Sequence, residues 1–268
     1  MRALIVTAVA AERDAVVRGL GRAAAEAVAP TEVALPGGVL HRLEWSGAPA
    51  LTVDVTAAGV GPAAAAAGSA TALTAAALAH APYDLAVSAG IGGGFTGPAG
   101  AQAAPRAPLG SVVIADAVVA ADLGAETADG FAAVTDLGFG TVEHLPPAAL
   151  VAAAAEAVHA VRGTVLTVST VTGSAERTAE LLRRHPRAAA EAMEGFGVAE
   201  AAAAQSVPVL EVRAISNAVG PRDRAAWRIG EALEALAVAF GNLVPVLRTW
   251  TLEPGAGPDF VDREGIRQ

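Results

Sequence analysis

Two residue types are missing altogether from this chain of 268 residues: cysteine and lysine. Without cysteine there can be no disulfide, no thiolate metal site and no thiol nucleophile. Without lysine every long basic side chain is an arginine, and the formal charge of −9 argues against nucleic acid or an anionic membrane as the main partner. A small molecule is the expected ligand. Long apolar runs are also scarce. The first segment turns polar at Glu12, Arg13 and Asp14, too soon for the hydrophobic region of a signal peptide, so a cytoplasmic location is expected. Residues 55–83 carry no charge apart from the titratable His80, but they are rich in Ala, Gly and Thr and interrupted by Gly61 and Pro62. That composition reads as a buried loop and helix and not as a membrane span.

What is present alternates. Short β-branched or aliphatic runs near residues 3–6, 51–55, 85–87, 111–114, 164–168 and 209–215 predict strands. Most are apolar throughout, as expected of sheet strands covered on both faces. Helices are predicted over 10–20, 63–79, 148–161, 175–185, 194–205 and 224–243, the last ending before Pro245 because an interior proline removes a hydrogen bond. The alternation indicates an α/β protein, one domain over residues 1–252 with a mobile tail from 253 to 268. Residues 92–108, with Gly97 and Pro98, read as a loop.

Several segments could carry chemistry. Glu12 lies just past the end of the first strand, in the first turn of a helix, where open α/β sheets place their ligands. A surface glutamate facing the helix dipole is the bland alternative. The run from Gly59 to Pro62 is a poor dinucleotide fingerprint, because Pro62 lacks the amide that a pyrophosphate would need. Gly90, Gly92, Gly93 and Gly94 follow a strand and would let a ligand approach the backbone closely. Glu194 opens an Ala-rich helix, and Asn217 ends an apolar strand where its amide needs a partner. Taken singly, a helix-terminal charge and a turn residue explain these two equally well.

Taken together, Glu12, the glycines from Gly90 to Gly94, the A-M-E-G run ending at Gly195 and the R-A-I-S-N run ending at Asn217 resemble the nucleoside phosphorylase and nucleosidase superfamily, in its nucleosidase branch. The resemblance extends from the first strand to the last helix. Methylthioadenosine/S-adenosylhomocysteine nucleosidases share the layout but carry Asp where this chain has Asn217. The extended run from Arg213 to Trp227 is similar to the futalosine-cleaving hydrolases of menaquinone biosynthesis.

The resemblance implies a three-layer α/β/α sandwich with a central mixed sheet. It implies hydrolysis of a purine N-glycosidic bond, without metal or organic cofactor, by a homo-oligomer. Glu12 would take the proton from attacking water, and Glu194 would hold the ribose hydroxyls with Met193 on the sugar face. Asn217 would polarise the departing base, Gly90 would approach the substrate, and Val171 and Thr172 would complete base recognition. Related nucleosidases place a Ser near the water where this chain has Gly90, and Ser88 is the candidate substitute. An amide at position 217 suits a 6-oxopurine, whose O6 is an acceptor that would repel a carboxylate. The 5′ extension would need apolar walls, for which Phe95, Phe131, Phe139, Phe196 and Trp227 are candidates, with Arg222 or Arg224 meeting a carboxylate. A methylthioadenosine nucleosidase and an inosine phosphorylase are the alternatives on the same scaffold. A non-catalytic nucleotide-binding protein is another, favoured if Glu12 lies remote from Asn217.

Overall fold

The computed structural model describes residues 1–23, 29–96 and 107–251. Its elements run β1 (Arg2–Thr7), α1 (Ala10–Arg22), β2 (Thr31–Leu35), β3 (Gly38–Trp45), β4 (Leu51–Ala57), α2 (Pro62–Leu78), β5 (Leu85–Gly94) and β6 (Val112–Ala120). They continue with β7 (Gly124–Thr127), β8 (Gly130–Ala133), β9 (Glu143–His144), α3 (Ala148–Val158), β10 (Val161–Thr167), α4 (Ala175–Arg184), β11 (Ala188–Ala192), α5 (Gly195–Ala203), β12 (Val209–Ala218) and α6 (Ile229–Thr249). The expected mobile tail and the Gly97–Pro98 turn lie outside the described residues.

The main sheet has the order β11-β10-β6-β12-β5-β1-β4-β3-β2, and β11 also bonds back to β5. Five strands, β11, β10, β6, β12 and β5, therefore close into a ring while the rest fan out as an open sheet. The sheet is mixed: β1 runs parallel to β4 and β5, whereas β3 joins β4 and β6 joins β12 in antiparallel fashion. Alternation along each strand sends residues to opposite layers. Ala3 and Ile5 of β1 join the core beneath α1, α3 and α6, while Leu4 and Val6 join the core beneath α2 and α5. The result is the three-layer sandwich expected from the sequence.

Three features differ from the sequence reading. The hairpins β2–β3 and β7–β8, together with β9 and β11, were not foreseen. β2 is a half-exposed edge strand, and β11 is an alanine run whose residues are poor intrinsic strand formers. The glycines from Gly90 to Gly94 are strand, not loop, because β12 pairs with this stretch on one side and β11 pairs with Gly93 and Gly94 on the other. The last helix begins at Ile229, after a 3-10 turn at Arg224–Ala226, and continues through Pro245 to Thr249. A helix-interior proline costs about 3 kcal/mol. Phe240, Leu243, Val244 and Leu247 are buried on either side of it, each contributing roughly 1.5–3 kcal/mol, so tertiary packing outweighs the local penalty.

Candidate active site

The site lies where the C-terminal ends of β1, β5 and β12 meet the N-termini of α1 and α5. Two amides at the start of α1 have no partner within the helix, and Glu12 in its first turn turns back to meet them. Its Oε2 accepts from the Ala8 amide at 3.0 Å and the Val9 amide at 3.3 Å, and its Oε1 accepts from the Ile91 amide of β5 at 2.9 Å. The carboxylate is thus pinned between the β1–α1 turn and β5 while remaining 4% exposed.

Gly90 makes this possible. A Cβ there would sit 2.6 Å from Glu12 Oε1 and 2.6 Å from Arg213 Nη1, so any side chain would push the two groups away. Its role is to admit these neighbours over the strand.

Arg213 is the centre of the charge arrangement and was not singled out in the sequence. Odd-numbered residues of β12 face the α2/α5 layer, so Glu211 and Arg213 emerge on the same side. The guanidinium is fully buried; it donates from Nε to Glu211 Oε1 at 2.9 Å, from Nη1 to Glu194 Oε2 at 3.2 Å and from Nη2 to Ser88 Oγ at 2.8 Å. Burial works against its charge, yet Glu211, Glu194 and Glu12 together raise its pKa and hold it as a cation. Glu211 pairs through one oxygen only, since its Oε2 is buried without a partner. Burial pushes the Glu211 carboxyl above the ordinary carboxylate range, against the pull of Arg213. Room for it comes from Gly195, where a Cβ would lie 2.2 Å from Glu211 Oε2.

Glu194, at the N-terminus of α5, accepts from the Gly61 amide at 3.2 Å and the Met193 amide at 3.3 Å in addition to Arg213. The register of β12 on β5 slips between Ile215 and Asn217, leaving Ser216 unpaired with β5 and re-aiming the residue that follows. Asn217 accepts at Oδ1 from the Ser216 hydroxyl at 2.8 Å and donates from Nδ2 to the Ala218 carbonyl at 3.0 Å, which leaves its second amide hydrogen to donate elsewhere.

A cleft of about 250 Å³ opens between these groups. Glu12, Met193, Glu194 and Asn217 line it, as do Val171 and Thr172. Arg222 and Trp227 also line it, with the guanidinium 5.6 Å from the indole ring centre. The sequence did not single out Glu191 as a candidate, but it is in the wall, 5% exposed, accepting from the Thr172 amide at 2.8 Å. Burial raises its pKa, opposed by the hydrogen bonds from Thr172.

Other candidates fall elsewhere. Ser88 is fully buried beneath Arg213, not in the cleft, because it points into the α2/α5 layer. Phe95 belongs to a buried cluster with Leu166 and Leu181, and Phe196 packs against the His144 ring at 5.2 Å. Phe131 lies under the Arg184 guanidinium, Phe139 is 69% exposed, and Arg224 is exposed in the 3-10 turn. None of these lines the cleft. Among the described residues no three His, Asp or Glu side chains gather into a metal-holding group.

Comparison with known proteins agrees with this architecture. The family model of the phosphorylase superfamily matches residues 13–245. A futalosine hydrolase of Streptomyces coelicolor is 65% identical over 253 residues, which cover 93% of this chain and 98% of that protein. A futalosine hydrolase of Acidothermus cellulolyticus is 42% identical, over 91% of this chain and 90% of that one. Among solved structures, a 5′-methylthioadenosine/S-adenosylhomocysteine nucleosidase of Colwellia psychrerythraea in complex with adenine superposes with a TM-score of 0.70. It is 24% identical, with 92% of this chain and 93% of that one covered. The family match over residues 13–245 and the 65% identity over nearly the full length of the relative lead to one conclusion: this chain belongs to the phosphorylase superfamily and, within it, to the futalosine hydrolases.

Proposed function

We infer that this protein hydrolyses the N-glycosidic bond of futalosine, releasing hypoxanthine and dehypoxanthine futalosine in menaquinone biosynthesis. The observation that carries the reading is the meeting of Glu12, Glu194 and Asn217, far apart in the chain, around one cleft. It also counts against a binding protein without catalytic groups, which would need no carboxylate aimed at the ligand.

Each group has a role in the proposed reaction. Glu194 accepts from the ribose 2′- and 3′-hydroxyls, with the Met193 side chain on the sugar face. As the C1′–N9 bond lengthens, positive charge gathers on the sugar. Glu12 and Glu194, both in the cleft wall, outnumber Arg213, and this excess negative charge stabilises it. Asn217 donates its free amide hydrogen to N7 or O6 of the departing base. Glu12 takes a proton from the attacking water. Arg222 and Trp227 offer a cation and an aromatic face to the 5′ aryl-ketone extension.

Water suits this site better than phosphate. The amides of Ala8, Val9 and Ile91 are taken up by Glu12, Arg213 is tied to two carboxylates, and Arg13 pairs with Asp14. A phosphate dianion needs several donors turned toward it. The cytoplasmic location and the homo-oligomer belong to the same proposal, and gel filtration of the purified protein tests the second. The decisive assay offers futalosine, inosine and methylthioadenosine side by side, with and without phosphate. Hypoxanthine release from futalosine, unchanged by phosphate, is the expected result. Phosphate dependence, or preferential release of adenine from methylthioadenosine, would overturn it.

A further inference from the structure

Glu191 is not used by the mechanism above, yet it is a buried carboxylate in the cleft wall. Its place relative to Asn217 follows from strand register. Gly93 of β5 pairs with Asn217 of β12 on one side and with Glu191 of β11 on the other. Residues in register across neighbouring strands share a face, and strands lie about 4.8 Å apart, so the two Cα atoms flank Gly93 at roughly 10 Å. Gly93 puts no side chain between them. A Cβ there would meet Val219 Cγ2 at 2.9 Å and Asn217 Nδ2 at 3.3 Å. Gly93 itself adds no side chain to the floor, so Val219 settles over it, with a polar group of the cleft wall at either edge.

The two edges differ in hydrogen-bonding character. Asn217 has an amide hydrogen left to donate. Glu191 receives both donors of Thr172, the amide and the hydroxyl, one on each oxygen. A carboxylate has about four acceptor positions, so each oxygen keeps a lone pair, and none of its positions is a donor. A 6-oxopurine presents acceptors at N7 and O6 and a donor at N1–H. A 6-aminopurine presents the reverse along its Watson–Crick edge, a donor at the exocyclic nitrogen and an acceptor at N1. With the base seated so that N7 and O6 face Asn217 and N1 faces Glu191, only the first pattern puts a donor opposite the carboxylate.

We propose that Glu191 accepts the N1–H of the departing 6-oxopurine and is, with Asn217, the residue that sets base specificity. This rests on the hydrolase reading, because it concerns the base which that reaction releases. Thr172 then acts as a positioning residue, fixing the carboxylate by two hydrogen bonds from the loop before α4. With an adenine base in the same seat, the N1 lone pair would face the carboxylate, acceptor against acceptor, and go unpaired.

The test is calorimetric binding of free hypoxanthine, 1-methylhypoxanthine and adenine to the purified protein, repeated with Glu191→Gln. The wild type is expected to bind hypoxanthine roughly 10- to 100-fold more tightly than either competitor, the range of a hydrogen bond to a charged group. Glu191→Gln brings a donor into the wall and is expected to narrow that gap to within about 3-fold. A uniform weakening for all three bases would mean that Glu191 only supports the Thr172 loop, and it would overturn the proposal. Should the variant fail to fold, the wild-type comparison decides alone: equal binding of hypoxanthine and 1-methylhypoxanthine overturns it. Failure of the hydrolase reading looks different, since wild-type protein would then release no hypoxanthine from futalosine, whatever its base affinities.

Discussion

Asp54 on β4 and Glu211 on β12 are both fully buried in one sheet, yet their surroundings have opposite charge balance. Asp54 accepts from Arg42 twice, at 2.8 and 2.9 Å, from Arg2 at 3.4 Å and from the Tyr83 hydroxyl at 2.6 Å. Two guanidiniums and a phenol serve one carboxylate, and burial together with Asp54 holds the Tyr83 hydroxyl well above its ordinary pKa. Around Glu211 the ratio is reversed. It shares Arg213 with Glu194 and Glu12, and one of its oxygens has no partner. A cluster that only joins strands can be saturated with donors. Under the proposed reaction the second cluster faces a sugar that becomes positively charged, and spare negative charge there would serve it.

The comparison can be broken at four points, taken from the largest expected effect. Glu12→Gln removes the proposed base while keeping shape, and kcat for futalosine is expected to fall by about 10²- to 10⁴-fold with substrate affinity nearly intact. Turnover near the wild-type rate would remove Glu12 from the mechanism. Next comes Arg213→Met, which strips the cleft cluster of its guanidinium. Leaving Glu194 and Glu211 buried and unpaired is expected to cost about 3–5 kcal/mol in urea unfolding.

Asp54→Asn should cost less, about 1–3 kcal/mol, because Arg42 and Arg2 are part-exposed and can turn to water. Futalosine turnover in that variant should match the wild type, and a loss beyond about 3-fold would erase the distinction between the two clusters. Glu211→Gln sharpens the contrast most finely. Burial lifts the folded pKa of Glu211 above its unfolded value near 4.5. Its contribution to stability is therefore complete below about pH 4.5 and is lost as pH rises through the folded value. Glutamine has no such proton to lose. The variant should equal the wild type within about 1 kcal/mol in acid and gain on it toward neutral pH. Urea midpoints across pH read this directly, and parallel curves would place Glu211 outside the titration.

Much of the fold was legible because its core strands are continuous apolar runs and several helices open on Gly, Pro or Ser, at Gly61 and Pro62, Pro147 and Ser174. β1, β4, β5, β6, β10 and β12 were all anticipated in place. β11 was not, since Ala188–Ala192 has no strand propensity and is held by pairing with β10 and β5. The glycine segment was misread for a related reason: local flexibility suggested a loop, while strands on both sides supply its hydrogen bonds. At the site, Glu12, Glu194 and Asn217 stood out at element ends. Glu191, Glu211 and Arg213 lie inside strands. The available signal was a charge set into an apolar run, and for Glu211 and Arg213 the two-residue spacing that puts both on one face.

The sequence by itself determined the α/β alternation, the family pattern and the set of polar residues left at strand and helix ends, because each follows from local spacing and composition. Tertiary structure decided which of them share a cleft, which carboxylates divide one arginine, and that Gly93 lies between Glu191 and Asn217. Those are properties of register between strands distant in sequence, and no local pattern encodes a pairing that forms only when the sheet closes.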